Sequence, residues 1–354
     1  MGHQNPAAGV TGGKRWGPSP EWTRQSWFRP FEASATPERD HAGLQDTPAP
    51  APKVTAMYLE FFGLREAPFE LTPNPQFLFL TPSTRTAFQN IQYGLSTGKG
   101  VTVVTGDPGV GKTYLFVAAL NSDACTHVRT VLISNPIMTR AEFVQAIAVK
   151  LGLSREIQQS KALLVDRLEQ ILIDARLANM VVALVIDEAH RLSDELLEEL
   201  RLLDNVETMD EKLLPIVLLG QPSLTQRLSE PQNLQLTQRV AVRSHVECFS
   251  DMECGGYIAS RVRAAGGEPS RLFTRDAVIR ICELSRGTPR TINVLCDNAL
   301  LVAFSARRRL ITREVVDTVN RQQLAANDQV TSSDSELPDG GTLAAKPSSE
   351  PGLS

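Results

Sequence analysis

A parallel sheet flanked by helices, with a smaller all-helical unit after it, is the α/β architecture that this 354-residue chain predicts. Three observations carry the expectation. The apolar run Val101 to Thr105 passes straight into Gly106-Asp107-Pro108-Gly109-Val110-Gly111-Lys112-Thr113 and then into a helix start at Tyr114. A second unbroken apolar run, Val181 to Ile186, ends in Asp187-Glu188. Beyond residue 250 the strand signals stop and helical periodicity takes over.

The strands come first. Apolar runs without alternation suit strands buried on both faces, the habit of parallel sheets. Residues 101–105, 181–186 and 213–219 read as buried strands, and 128–134 as a further strand. Helices over 114–120, 140–151, 161–178 and 194–206 alternate with them, the last capped by Ser193 or Asp194. This βαβ order predicts helices on both faces of the sheet. Residues 257–265, 275–285, 289–306 and 312–323 read as four further helices, with Pro289 well placed at a first helical position.

The glycine-rich stretch fits G-x-x-x-x-G-K-[ST] at every fixed position. Chance alone gives about one match per hundred chains of this length, before strand and helix flanks are required. Glycines 106, 109 and 111 let the backbone turn tightly, so that N–H groups and a helix N-terminus face phosphate oxygens. Lys112 is expected to reach the β- and γ-phosphates of ATP, and Thr113 to sit on Mg²⁺. Asp187, at the carboxyl end of its strand, is expected to hold the Mg²⁺ through water, and Glu188 to act as general base. The alternative, a solvated acidic turn after a strand, loses weight because the pair follows a phosphate loop. The letters Asp187-Glu188-Ala189-His190 invite a helicase reading, which no downstream arginine-rich motif supports.

Composition narrows the field. Net charge is −4, so no global basic field points to nucleic acid, and Arg307-Arg308-Arg309 reads as a solvated helix end. The five cysteines show no metal-ligand spacing and read as reduced, mostly buried residues of a cytoplasmic protein. No apolar stretch approaches the roughly 18 residues that span a bilayer. Residues 1–56 hold eight of the 22 prolines and all three tryptophans, and read as a disordered extension, with Met57 as a candidate true start. Residues 57–250 read as the nucleotide-binding α/β domain, 251–324 as a helical lid and 325–354 as a disordered tail.

Together these motifs resemble the AAA+ ATPases. The resemblance sharpens to the general secretion pathway protein A family at Met57 to Phe69, Leu71 to Leu80, Leu218 to Pro222, Gln238 to Val240 and Gly287 to Asp297. It covers residues 57 to 322, with five motifs in the family's order. It implies that Gln221 senses the γ-phosphate at the end of the fourth strand. It implies that Arg239 is a finger completing a neighbour's site in a homo-oligomer, a ring or nucleotide-dependent dimer; Arg227 and Arg243 compete for that role, and an intramolecular salt bridge is the plain alternative for Arg239. Arg290 is implied to contact nucleotide from the lid. Tyr58, Phe61 and Phe62 suit either the base or an aromatic core. The chain departs from the family at Thr84, where a His is usual, and in ending on a polar tail without a membrane span or peptidoglycan-binding domain. The implied function is ATP hydrolysis coupled to work on a protein partner of an envelope or secretion system. The runner-up is a DNA-associated regulator like transposition-helper or origin-recognition ATPases, which the acidic balance disfavours.

Overall fold

The computed structural model describes residues 53–97, 100–158, 160–207 and 212–333. The expectations for residues 1–52 and 334–354 lie outside the described residues. In chain order the elements are α1 (Lys53–Phe62), α2 (Pro82–Thr97), β1 (Val101–Gly106), α3 (Lys112–Leu120), β2 (Val128–Ile133) and α4 (Arg140–Lys150). Then come α5 (Arg155–Gln158), α6 (Lys161–Leu177), β3 (Val181–Ile186), α7 (Asp194–Leu203), β4 (Ile216–Gly220), α8 (Ser223–Leu228), α9 (Leu234–Thr237) and β5 (Val240–Val246). The rest is helical: α10 (Asp251–Ala264), α11 (Pro269–Leu272), α12 (Arg275–Ser285), α13 (Pro289–Ser305) and α14 (Arg313–Ser333). Among the described residues, α1 starts at Lys53 and α14 runs to Ser333.

The chain divides into two units, with the described residues from 72 to 248 in one and those up to 71 and from 249 in the other. The α/β unit carries a five-stranded sheet in the order β2-β3-β4-β1-β5, every pair parallel. Strands β1, β3 and β4 are buried along their whole length; β3 and β4 are unbroken apolar runs, whereas β1 buries Thr102 and Thr105 among its valines. Their alternate residues feed two separate cores. Val101, Val103, Leu184, Ile186, Ile216 and Leu218 pack with α4, α6 and α7 on one side. Val104, Val185, Val217 and Leu219 pack with α2 and α3 on the other. A strand's period of two thus builds both helix layers from the same short runs. Strand β5 was not expected from the sequence. It is an edge strand, and Val240-Ala-Val-Arg-Ser-His-Val246 alternates between half-buried and exposed, too polar a pattern to read as a buried strand.

Local rules set the helix ends. Thr139 and Glu142 form a reciprocal cap on α4, and Ser193, rather than Asp194, caps α7. Thr84, in the first turn of α2, exchanges hydrogen bonds with Thr81, a capping role that needs no histidine.

The helical unit holds α1 and α10 to α14. The segment after α1 was assigned by sequence to the α/β domain; its packing differs. Arg261, buried on α10, donates to the carbonyls of Pro68 and Glu70, and Phe69 meets Phe273 edge-on at 6.0 Å between ring centroids. Tyr58 is buried here, and Phe61 packs edge-on against Phe62 and Phe304, so all three aromatics serve this unit's packing. Burial, with Asp297 and Glu70 nearby, pushes the Tyr58 phenol up to about 12. Gly287, at φ +72, could carry no side chain: a Cβ there would lie 1.9 Å from the Phe249 carbonyl oxygen. Pro289 opens α13 as expected. One cysteine expectation is corrected. Cys254 and Cys282 are joined by a disulfide, because α10 and α12 bring their Cα atoms to 6.0 Å, which sequence spacing does not reveal. Cys125, Cys248 and Cys296 are not part of that disulfide.

Candidate functional site

The carboxyl ends of β1, β3 and β4 lie side by side in the sheet, and the loops leaving them gather the expected site residues. The loop after β1 turns through Gly109 at φ +82 and Gly111 at φ +98, conformations that L side chains rarely adopt. At Gly106 the reason is closeness, since a Cβ would lie 2.5 Å from the Val246 carbonyl oxygen. Val110 is buried beneath the loop, whereas Asp107 and Pro108 are exposed. Leu115 N–H bonds to Gly111 O, so α3 starts directly on the loop.

Lys112 is buried, and its Nζ donates to Gly106 O at 2.8 Å and Asp107 O at 2.9 Å. Burial pulls its pKa down, against the opposing pull of Glu188, Asp187 and Asp107. Its bonding partners among the described residues are neutral carbonyls. A buried ammonium held this way retains its charge for an incoming anion, and a phosphate chain offers that complement.

The Thr113 hydroxyl donates to Asp187 Oδ2 at 2.7 Å. The other oxygen, Oδ1, accepts from the Glu188 N–H at 2.9 Å. A hydroxyl and a carboxylate at this separation are hard oxygen donors, the set that suits magnesium. No cluster of three His, Cys, Asp or Glu that could cage a metal exists among the described residues. Glu188 sits at φ +53, a left-handed conformation, with its side chain half exposed. Immediately beyond it the turn Ala189–Arg191 brings His190 Nδ1 to 3.5 Å from Glu188 Oε2. Sequence reading passed over His190; its place two residues beyond the expected base was the available signal.

Gln221 follows Gly220 at the end of β4, between the ends of β1 and β3, and is half-buried. Lys112, Thr113, Asp187, Glu188 and Gln221 are thus gathered on three adjacent strand ends. Arg239 is not among them. The intramolecular salt bridge that the sequence left as its plain alternative is present: its Nη1 lies 2.9 Å from Oδ2 of the fully buried Asp204, which also meets Lys212 at 3.5 Å. A buried carboxylate needs such cations, and neither sequence distance nor motif announces the pairing. Arg227 is likewise occupied, donating to the carbonyls of His190 and Leu192 and to Asp194. Arg243 is exposed on β5 and makes no ion pair among the described residues. Arg290 belongs to the helical unit, exposed in the first turn of α13.

The sheet order, the phosphate loop and the acidic strand end define an AAA-type P-loop NTPase, a class of nucleotide hydrolases. Residues 95–228 match the AAA domain family model. In sequence the chain is similar to the general secretion pathway protein A of Aeromonas hydrophila, 36% identical over 249 residues. That match covers 70% of this chain and 45% of the relative, so the chain spans less than half the length of the curated protein it matches. In fold it is similar to Drosophila ORC bound to DNA, with TM-score 0.59, 20% identity and coverage of 81% of this chain and 71% of that one. It is also similar to Cdc6p from Pyrobaculum aerophilum, with TM-score 0.57, 18% identity and coverage of 72% and 70%. At these identities the likeness speaks to fold alone. No helix among the described residues is long and apolar enough to cross a membrane.

Proposed function

We propose that this protein binds ATP with Mg²⁺ and hydrolyses the β–γ phosphoanhydride, using the cycle to do conformational work on a protein partner of an envelope or secretion system from the cytoplasmic side. The observations that carry the chemistry are the Lys112 ammonium held on the loop carbonyls and the contacts from Thr113 through Asp187 to Glu188. Lys112 and the N–H groups of the loop bind the phosphates. Thr113 and Asp187 hold the metal, which when bound neutralises charge on the phosphate oxygens. Glu188 takes the proton of the attacking water. Gln221, at the end of β4, reads the γ-phosphate.

The protein partner is inferred from the resemblance to the Aeromonas protein. We further propose that the active form is an oligomer, a ring or nucleotide-dependent dimer, in which an arginine of one copy completes the site of the next. Arg243 takes that role in place of Arg239, being the exposed one of the three candidates. Arg290 is proposed to contact nucleotide from the helical unit. The test is the ATPase rate of the full chain alone, with duplex DNA and with envelope fractions. Stimulation by envelope fractions supports the secretion reading; stimulation by DNA alone replaces it with the DNA-regulator reading.

A further inference from the structure

His190 has a place that the hydrolytic scheme above leaves unused. Its ring Nδ1 is buried and has no hydrogen-bond partner among the described residues, yet it stands 3.5 Å from Glu188 Oε2. A buried ring nitrogen without a partner is costly, so an unbonded one beside a carboxylate calls for an account.

The ring's position is tightly set. Its carbonyl accepts from Arg227 Nη1, and the turn carrying it is closed by Arg191 N–H to Glu188 O at 2.9 Å. Gly220 admits the turn against β4, since a Cβ there would lie 3.1 Å from His190 N. Glu188, by contrast, is half exposed, and its carboxylate makes no other ion pair among the described residues. A fixed donor facing a loosely held base can act by orienting it.

We propose that His190 is a positioning residue for the general base: its neutral imidazole donates Nδ1–H to Glu188 Oε2, fixing the carboxylate so that the remaining oxygen accepts the proton of the attacking water. This rests on the reading of Glu188 as the base. The donation assigns the Nδ1–H tautomer. The ring's surroundings agree, because burial lowers its pKa, as do Arg191, Lys112 and Arg227, against the raising effect of Glu188. Contacts of this kind are often long before substrate binds, and shortening this one needs a shift of about half an ångström.

The test uses the full chain and four variants: His190→Ala, His190→Asn, Glu188→Gln and the double variant His190→Ala with Glu188→Gln. His190→Ala lowers kcat about tenfold, with KM for ATP and ATP affinity within about twofold of wild type. His190→Asn, whose amide can donate from nearly the same place, recovers to within about threefold. Adding His190→Ala to Glu188→Gln changes nothing further. A wild-type or raised kcat in His190→Ala overturns the proposal, and so do equal losses in both His190 variants accompanied by weaker ATP binding. Glu188→Gln separates the two levels: if it hydrolyses like wild type, the base assignment itself fails; if it is inactive while His190→Ala is normal, only the positioning role falls.

Discussion

The Thr113 hydroxyl donates to Asp187 Oδ2 across 2.7 Å, joining the last residue of the phosphate loop to the end of β3. These residues are 74 positions apart, and the parallel sheet, through β4 between β1 and β3, sets their separation. If both hold magnesium, Thr113→Ala weakens the metal's apparent affinity in the hydrolysis assay by about tenfold and lowers kcat by about a hundredfold. Thr113→Ser keeps the hydroxyl and should stay near wild type. A magnesium titration that is unmoved in Thr113→Ala contradicts the assignment.

Arg239 should be judged by stability before activity. Its partner Asp204 is fully buried, with Oδ1 making no hydrogen bond among the described residues. Arg239→Ala therefore leaves that charge with Lys212 alone, at a cost of about 2 kcal/mol in chemical denaturation. Arg239→Ala combined with Asp204→Asn should lose less than the sum of the single variants. If hydrolysis is shared between copies, Arg243→Ala loses activity at unchanged stability, and wild-type specific activity rises with protein concentration.

Gly287 makes a sharp steric prediction within the helical unit. A Cβ at this position meets the Phe249 carbonyl oxygen at 1.9 Å and also faces a positive φ of 72°. Gly287→Ala should destabilise the protein by about 3 kcal/mol. A melting curve matching wild type would show that the approach of the two backbones is not real.

Asp297 predicts a pH dependence. Burial, with the Glu70 charge beside it, holds its carboxyl above the ordinary carboxylate value. A folded-state pKa above the unfolded one means that stability is full below the unfolded value and is lost as pH rises through the raised one. Asp297→Asn should thus melt higher than wild type at neutral pH, by about 1–3 °C. That advantage should shrink as the pH falls toward about 4. A lower melting point for Asp297→Asn at neutral pH would contradict the sign.

Much of this was legible in the sequence because the rules involved are local. The fully buried strands β3 and β4 announce themselves as unbroken apolar runs, and the loop from Gly106 to Thr113 carries its chemistry in fixed spacing. What was not legible depends on distant partners. Val240 to Val246 is a strand because it pairs with β1, a contact its own alternation of polar and apolar residues does not advertise. The Arg239–Asp204 pair, the Cys254–Cys282 disulfide and the packing of Arg261 on the segment before residue 72 each join residues that only the fold brings together. His190 is a different case: it stood beside the expected base, and only the burial of its ring nitrogen singled it out.

The central claim is that Glu188 supplies the base while the phosphate loop supplies binding. Glu188→Gln tests it by separating the two in one variant. ATP affinity, measured by equilibrium binding, should stay within about threefold of wild type, because Lys112, Thr113 and Asp187 are untouched. The rate of phosphate release should fall by about 10² to 10⁴, the range general base catalysis provides. Hydrolysis at the wild-type rate by a Glu188→Gln protein that binds ATP normally would contradict the account.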